Sequence, residues 1–256
     1  MKMENLNHYR AKQYYNTKEV SLYPREAPEG EAYKVYHDNI RAVCPEEAGE
    51  FSVLELGCGT GRFFFYLCNV SQLTAVDISE HMLRAAQENL RRKPELHSVT
   101  DFVHSSIEEF ETDRKFDFIY SIGTLGEYCE FNRAVLEKII TFLKPNGMFF
   151  FTIVDADAYV NREKIGIGKR AFRFAIRFLP YRLRIRLGAR SQVVADWKNL
   201  FMTKKQLEEV LSSSGTPIRW EVSRSKDNLH VHHIGKVWLA DAILDISPYI
   251  EYFIVI

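Results

Sequence analysis

Runs of apolar residues separated by polar segments predict strands and helices that alternate along this chain. Val53–Leu56 predicts a first strand, and Leu73–Val76, closed by Asp77, predicts a second. Further strands are expected at 98–104, 116–120, 148–154, 218–222 and 249–256. The segment 148–154 is unbroken in apolar residues, as is typical of a strand covered on both faces. The order of elements favours an α/β fold.

Apolar residues spaced three or four apart predict helices between these strands. The expected inward faces are Tyr33, Tyr36, Ile40 and Val43; Leu83, Ala86 and Leu90; Val135, Leu136, Ile139, Ile140 and Leu143; and Leu207, Val210 and Leu211. Ser79 is placed as an N-cap, and Thr203 with Gln206 forms a capping-box sequence. A turn is expected at 144–147 and a short helix at 237–244.

Three alternate glycines, Gly57, Gly59 and Gly61, follow the first predicted strand and precede the helix-like Arg62–Leu67. Glycine permits the unusual dihedral angles of a tight turn and a close approach of the backbone to a ligand. Twenty positions after Gly57, Asp77 has the spacing of an acid that accepts hydrogen bonds from ribose hydroxyls. The dinucleotide pattern G-x-G-x-x-G is not matched, because the third glycine comes one residue early.

Length, composition and charge indicate how many domains the chain has and which kinds of partner it is not expected to bind. The chain has 256 residues, 46% of them apolar, and a formal net charge of zero. We expect one domain over 1–256, with an N-terminal arm and helix at 1–48 and an insertion at 155–202. Zero net charge gives no bulk attraction to nucleic acid, so no DNA partner is expected. The first residues lack the apolar core of a signal peptide and no run is long enough to span a bilayer, which predicts a cytoplasmic protein.

The four cysteines, at positions 44, 58, 68 and 129, form no C-x-x-C pair. Their spacing matches neither a zinc site nor an iron–sulfur site, so we expect no bound metal. Reduced, mostly buried thiols are the prediction.

The run Glu55–Gly61 resembles the first motif of the class I S-adenosylmethionine-dependent methyltransferases, and Ala75–Ser79 resembles their second. The resemblance continues in order through 116–121 and 143–149 and covers roughly residues 50 to 155. It implies a seven-stranded Rossmann-like sheet, mostly parallel with the last strand antiparallel, and helices on both faces. It also implies S-adenosylmethionine as cofactor and S-adenosylhomocysteine as product.

The resemblance further implies which residues bind the cofactor at the carboxyl ends of the strands. They are Glu55, Gly57, Cys58, Gly59, Asp77, Ile78, Met82, Ser105, Ser106, Ile107 and Ser121. Asp77 would hold the ribose hydroxyls, and Glu55 would order the glycine turn and reach the methionine amine through water. Ile78 and Met82 would flank the adenine. Ser106 stands where the family often has an Asp that bonds the adenine amino group.

A general base is needed only when the acceptor carries a proton at the working pH. The catalytic candidates are His232, Glu127 and His230; His233, Asp155 and Tyr128 also follow predicted strands. Histidine titrates near neutral pH and suits the role, although a surface histidine in a loop would look the same in the sequence. In families of this kind the N-terminal arm often folds over the cofactor, so Tyr14, Tyr15 or Tyr23 would either contact its methionine end or pack against the core.

Residues 162–190 contain ten Lys or Arg and one acid, a net charge of +9. Arg170, Arg173 and Arg177 share one helical face, and apolar residues share another. Four roles stay open for this basic segment: a lid over an anionic substrate, peripheral contact with anionic lipid, a groove for RNA, or a solvated face that balances the acidic remainder. Interleaved Phe and Leu favour a lid over a small-molecule or lipid-like acceptor.

The predicted function is methyl transfer to an oxygen or nitrogen of a small-molecule or amphiphilic acceptor, including anionic ones. Ser121–Thr124 lacks the Asn/Asp-Pro-Pro-aromatic motif found in enzymes that methylate the amino groups of adenine or glutamine. The alternatives are an RNA methyltransferase and a non-catalytic S-adenosylmethionine-binding protein. The sequence does not indicate an oligomeric state.

Overall fold

The computed structural model describes residues 25–26, 29, 31–47, 49–154, 156, 200–224 and 251–256. The strands are β1 (Ser52–Leu56), β2 (Gln72–Asp77), β3 (Thr100–His104), β4 (Phe116–Ser121), β5 (Leu143–Val154), β6 (Glu221–Arg224) and β7 (Glu251–Val255). They form one sheet in the order β3-β2-β1-β4-β5-β7-β6. The predicted α/β, Rossmann-like class is therefore confirmed.

The sheet reverses its direction of growth between β1 and β4. Strands β1 to β5 pair in parallel, with β2 and β3 on one side of β1 and β4 and β5 on the other. Strand β7 is antiparallel both to β5 and to β6. In open α/β sheets, ligands bind at the carboxyl ends of the strands where the order reverses, which here is the gap between β1 and β4.

Helices connect the strands, and three of them begin at polar side-chain caps. They are α1 (Glu31–Val43), a 3₁₀ helix (Arg62–Tyr66), α2 (Glu80–Leu90), α3 (Pro94–His97), α4 (Arg133–Thr141) and α5 (Lys204–Ser212). The hydroxyl of Ser79 accepts a hydrogen bond from the Met82 backbone N–H at 3.3 Å, which confirms the predicted cap. Thr203 and Gln206 form the predicted capping box.

The core lies on both faces of the sheet, because successive strand residues point to opposite sides. On one face Tyr36 and Ile40 of α1 pack against residues such as Phe118. On the other face α4 and α5 pack their buried leucines, Leu136, Leu207 and Leu211 among them, against strand residues. Of the predicted inward residues of α4, Val135, Leu136 and Ile139 are buried, whereas Ile140 is only partly so. The prediction is wrong for Leu143, which lies in β5 because α4 ends at Thr141.

Three predicted element boundaries are wrong. The helix after the glycines is a five-residue 3₁₀ helix, whose three residues per turn align Phe63 with Tyr66 at a ring-centroid distance of 5.9 Å. The expected turn at 144–147 is a bulge inside β5, since Phe116 pairs with Leu143 and Phe118 pairs with Met148. Strand β6 begins at Glu221, where its partner β7 ends, and not at position 218.

Several predictions concern residues outside the described part. These are almost all of the 155–202 insertion with its basic segment 162–190, the helix at 237–244, and Tyr14, Tyr15, Tyr23, Asp155, His230, His232 and His233. Among the described residues, no helix is long and apolar enough to cross a membrane. The same residues contain no group of three His, Cys, Asp or Glu side chains placed to hold a metal ion.

Candidate functional site

The segment Gly57–Gly61, which we call the first glycine turn, is held by the backbone and end of β2. The N–H groups of Gly57 and Cys58 both donate to the Val76 carbonyl oxygen, at 2.8 and 3.0 Å. The Gly59 N–H donates to the Asp77 carboxylate at 2.8 Å. These donors are already used within the protein, so the turn offers a ligand close backbone approach more than free hydrogen-bond donors.

All three glycines of the first turn have positive φ, but they differ in the space around them. A Cβ at Gly57 would lie 2.3 Å from the Thr124 hydroxyl oxygen, and one at Gly61 would lie 2.3 Å from the Phe64 ring. At Gly59, φ is +52° and no atom lies within 4 Å of the corresponding position. Gly59 therefore faces open space at the switch point of the sheet, where a ligand can approach the backbone.

Asp77 anchors the turn and is itself buried, with 8% exposure. Besides Gly59, its carboxylate accepts a hydrogen bond from the Ser79 N–H at 2.8 Å. An ionised carboxylate has about four acceptor positions, so two backbone donors do not exhaust it. Burial raises the pKa of Asp77 from 3.8 to about 6, although these hydrogen bonds and the nearby His104 oppose the shift.

Glu55, in β1, is bonded to the neighbouring strand β4. Its carboxylate accepts a hydrogen bond from the Tyr120 hydroxyl at 2.7 Å, and its exposure is 1%. Burial raises the pKa of Glu55 well above its usual value, with a further contribution from the charge of Asp77. The hydrogen bonds described for the first glycine turn go to Val76 and Asp77, and the ordering role of Glu55 stays a prediction.

The predicted adenine-binding residues lie together after β2 and β3. Met82 and Ile107 are buried and Ile78 is partly exposed. The Ile78 carbonyl oxygen lies 3.0 Å from Nε2 of His104, and the Ser105 N–H donates to the Asp77 carbonyl oxygen at 3.1 Å. This side of the site has an apolar surface with polar backbone groups at its rim.

Ser106 is engaged locally. Its hydroxyl accepts from the Glu109 N–H at 3.1 Å and donates to the Glu109 carboxylate at 3.3 Å. The hydroxyl of neighbouring Ser105 donates to the Ser106 carbonyl oxygen at 3.0 Å. Ser106 therefore caps the short turn that positions Ile107, and a contact between its hydroxyl and adenine would have to compete with Glu109.

A second turn, Gly123–Gly126, follows β4 and faces the first. The Thr124 carbonyl oxygen accepts hydrogen bonds from the N–H groups of Glu127, Tyr128 and Cys129 at 3.2, 2.9 and 3.2 Å. The Thr124 side chain covers Gly57, and the Gly123 N–H donates to the Thr152 hydroxyl at 2.9 Å. This second glycine turn is folded onto itself and onto β5.

Of the candidate bases, Glu127 and Tyr128 lie in the described part of the chain, immediately after the second glycine turn. Glu127 is buried at 3% exposure, whereas Tyr128 is partly exposed. Ser121, at the end of β4, is fully buried, and its hydroxyl donates to the Leu56 carbonyl oxygen at 2.8 Å. The structure thus places Ser121 beside the end of β1 and Glu127 against the backbone of Thr124, whose side chain covers Gly57.

The chain before α1 also reaches this region. The side-chain amide of Asn89 donates to the carbonyl oxygens of Arg25 and Thr60, at 2.6 and 3.1 Å. The Arg62 guanidinium lies over the Tyr33 ring, 5.0 Å from its centroid. One helix residue, Asn89, therefore ties the chain before α1 to the first glycine turn.

Sequence reasoning missed three residues of the site, namely Tyr120, Thr124 and Thr152. Each acts through a partner in another strand or turn, so no local spacing marks it. The one available signal was Tyr120 itself, a polar group inside an apolar strand, because a buried tyrosine hydroxyl usually needs a hydrogen-bond partner.

Comparisons with known proteins agree with this geometry. Residues 53–147 match the family described as "Methyltransferase domain". Malonyl-[acyl-carrier protein] O-methyltransferase 2 of Ilyobacter polytropus is 30% identical over 112 residues, which are 43% of this chain and 41% of that protein. A malonyl-[acyl-carrier protein] O-methyltransferase of Priestia megaterium is 30% identical over 106 residues, 40% of this chain and 36% of the relative. The chain thus spans less than half the length of these curated relatives.

Solved structures share the fold over nearly the whole chain at low identity. The N-methyltransferase NodS of Bradyrhizobium japonicum, in complex with S-adenosylhomocysteine, has a TM-score of 0.55 at 13% identity and covers 97% of each chain. Magnesium protoporphyrin IX methyltransferase of Synechocystis has a TM-score of 0.57 at 11% identity and covers 97% of this chain and 98% of the other.

The motif spacing, the strand order and the family match lead to the same assignment. The first glycine turn, Asp77 and the end of β4 lie at the switch point of the sheet, within the matched segment. Residues 53–147 match a methyltransferase domain, and over this segment the chain is similar to S-adenosylmethionine-dependent methyltransferases.

Proposed function

We propose that this protein transfers a methyl group from S-adenosylmethionine to an oxygen or nitrogen atom of a small-molecule or amphiphilic acceptor. The observation that carries the proposal is the open space at Gly59 beside the Asp77 carboxylate, at the sheet's switch point. A backbone without a side chain and a carboxylate with spare acceptor positions fit a ribose and a methionyl chain.

In this proposal Asp77 accepts hydrogen bonds from the ribose hydroxyls while it keeps its bonds to Gly59 and Ser79. The backbone of Gly57, Cys58 and Gly59 lines the methionyl and ribose part. The other groups proposed to contact the cofactor surround this centre: Ile78, Met82, Ser105, Ser106 and Ile107 at the adenine, and Glu55 and the Ser121 carbonyl oxygen towards the methionine amine.

When bound, the cofactor supplies an already activated methyl group, so the protein's task is to align the acceptor and to exclude water. The end of β4 suits that task, since Ser121, Ile122 and Leu125 have exposures of 0%, 9% and 0%. An acceptor that carries a proton needs a base, for which we propose Glu127 in the described part and His232 or His230 outside it. A carboxylate acceptor needs none, because it is ionised at neutral pH.

We favour an oxygen acceptor. The two relatives named above are O-methyltransferases, and Ser121–Thr124 lacks the motif typical of enzymes that methylate adenine or glutamine amino groups. A carboxyl group at the end of an acyl chain, free or attached to a carrier, fits both observations. The basic segment 162–190 would then cover or attract such an anionic, partly apolar acceptor.

The first test is calorimetric titration of S-adenosylmethionine and S-adenosylhomocysteine, with NADH as the negative ligand. We expect micromolar binding of the first two only. Asp77→Ala should weaken that binding tenfold or more, because bonds to two ribose hydroxyls are lost. The matched control is Asp101→Ala, which removes an exposed β3 carboxylate paired with Arg114. Equal affinity in the two variants would reject the ribose assignment.

The second test follows transfer of a labelled methyl group to a panel of acyl acids, carrier-bound acyl acids, amines and RNA. Labelling of the acids supports the oxygen proposal, whereas labelling of RNA alone, with a steep salt dependence, supports the RNA alternative. Cofactor binding without transfer to any of them would favour a non-catalytic protein. Reversal of Arg173 and Arg177 to Glu should lower acceptor use and leave cofactor affinity unchanged; unchanged acceptor use would reject the lid.

A further inference from the structure

Cys44 and Cys68 lie together on two neighbouring segments. The Cys44 sulfur accepts a hydrogen bond from the Cys68 backbone N–H at 3.4 Å, and the two thiol groups also interact directly. Both side chains are half-buried, whereas Cys58 and Cys129 have exposures of 3% and 5%. Of the four thiols, these two are therefore both adjacent to each other and accessible to a small reagent.

Cys44 and Cys68 lie near the amino ends of the parallel strands, whereas the candidate site lies at the carboxyl ends. Cys44 follows α1 and precedes β1, and Cys68 follows the 3₁₀ helix that returns the chain to the start of β2. Both positions are therefore at the amino ends of the parallel strands, while the first glycine turn is at the carboxyl ends. A change at the two cysteines does not alter the groups that face the cofactor.

Hydrogen bonds hold these two segments side by side. The side-chain amide of Asn69 donates to the carbonyl oxygens of Pro45 and Glu46, both at 2.9 Å. The Lys93 ammonium donates to the Leu67 carbonyl oxygen next to Cys68. Asn69 thus joins the two segments, and Lys93 fixes the chain just before Cys68.

Burial determines the state of one of the two thiols. Lys93 and Arg41 place positive charge near Cys44, which opposes the effect of burial. Burial, with a contribution from Cys68, nevertheless raises the pKa of Cys44 to about 11. At neutral pH Cys44 is therefore a protonated thiol, suited to the second step of an oxidation.

We propose that Cys44 and Cys68 are a modification site, at which hydrogen peroxide or a related hydroperoxide forms a reversible disulfide. The Cys68 sulfur attacks one peroxide oxygen, the O–O bond breaks, and the leaving hydroxide takes the Cys68 thiol proton, so that a sulfenic acid and one water result. The Cys44 sulfur then attacks the Cys68 sulfur, and the hydroxyl group leaves with the Cys44 proton as a second water. Overall, two thiols and one peroxide give one disulfide and two waters, and a thiol reductant reverses the change.

Cys44 and Cys68 are 24 positions apart, and β1 and the first glycine turn lie between them in the sequence. The disulfide would therefore close a loop that contains both. Cross-links over loops of this length stabilise a protein mainly by restricting its unfolded chain. We therefore expect a rise in the melting temperature of about 5 °C on oxidation. Cofactor affinity should change less than twofold, since the disulfide forms at the amino ends of the strands and the candidate site lies at their carboxyl ends.

The experiment treats the reduced protein with a slight excess of hydrogen peroxide and digests it without reductant. Mass spectrometry should find a peptide that joins Cys44 to Cys68, two thiols fewer per chain, and full reversal by dithiothreitol. Cys44→Ser and Cys68→Ser should each lose the cross-link and the rise in melting temperature. Cys129→Ala, which removes a buried thiol, should keep both.

Three outcomes would overturn the proposal: four remaining thiols per chain, sulfinic acid at Cys68 without a cross-link, or disulfides only between separate chains. The readouts need neither cofactor nor acceptor. Failure of the methyltransferase proposal would therefore leave this result unaffected, and the reverse is also true.

Discussion

The first and second glycine turns share a backbone conformation but differ in the space around their glycines. Both follow neighbouring parallel strands, and both contain glycines with positive φ, between 52° and 78° in the first and 68° and 69° in the second. The first is fixed from outside by β2 and leaves open space at Gly59. The second fills its own interior, and Gly126 lies against Ile153 and the Leu200 backbone. A glycine turn therefore binds a ligand only where its surroundings leave the space empty.

The largest expected effect is on stability, at Gly57. Gly57→Ala forces an alanine into φ +78° with its Cβ 2.3 Å from the Thr124 hydroxyl oxygen. We expect a loss of about 3 kcal/mol or more in the free energy of unfolding, measured by urea denaturation. In a Thr124→Gly background the same change should cost clearly less, because the clashing side chain is gone. An equal cost in both backgrounds would show that the two turns do not touch as described.

Removal of the Tyr120 hydroxyl tests the support beneath the first turn. Tyr120→Phe leaves a buried Glu55 oxygen without its 2.7 Å donor, which should cost about 2 kcal/mol of stability. The loss of this donor also raises the pKa of Glu55 further, because the hydrogen bond opposes the effect of burial. Phe118→Leu, in the same strand, serves as the packing control. A neutral Tyr120→Phe result would mean that the bond contributes nothing net.

At Gly59 the effect should appear in binding. Gly59→Ala puts a methyl group into open space, so the fold loses only about 1 kcal/mol for the unfavourable φ, while cofactor affinity falls about tenfold. Gly126→Ala should lower stability and leave cofactor affinity unchanged, because its Cβ would lie 2.9 Å from Ile153. Calorimetry and thermal melting on both variants give the comparison. Identical profiles would remove the distinction between the turns.

The most gradual effect is the pH dependence at Asp77, which is spread over about two pH units. Its pKa is about 6 in the folded protein and 3.8 in the unfolded chain, so between pH 4 and 6 the folded state binds more protons. Stability from this group is therefore present at low pH and is lost as pH rises to 6, by at most about 1.4 kcal/mol per pH unit. Cofactor affinity should fall below pH 6, as the carboxylate is protonated. Asp77→Asn should remove both trends; if they persist, another group causes them.

The sequence predicted those parts of the molecule in which neighbouring residues determine the result. Ser79 and Thr203 cap helices because each cap and its N–H partner are three positions apart, and Asp77 ends β2 because its strand is a continuous apolar run. Contacts between distant segments were not predictable. Thr124 over Gly57 and Tyr120 on Glu55 join residues 67 and 65 positions apart, and only the folded sheet brings them together.

Contacts with other elements explain two remaining differences between the predicted and observed local structure. The run Arg62–Tyr66 has a helical pattern, but burial of Phe63, Phe64 and Tyr66 under α1 is achieved by a 3₁₀ helix. Likewise, the turn residues at 144–147 were recognised, but their place inside β5 follows from pairing with β4, a partner more than twenty residues earlier.

The order of the strands also affects how the chain folds as it leaves the ribosome. Strands β2 to β5 each pair with a strand that has already been made, so this part of the sheet can assemble progressively. Strand β6 cannot join it, because β6 pairs only with β7, which lies between β6 and β5. Until Glu251–Val255 has been translated, the edge of β5 stays open to another extended chain. Among the described strands, β5 therefore gains its second neighbour only after the chain has been translated as far as β7.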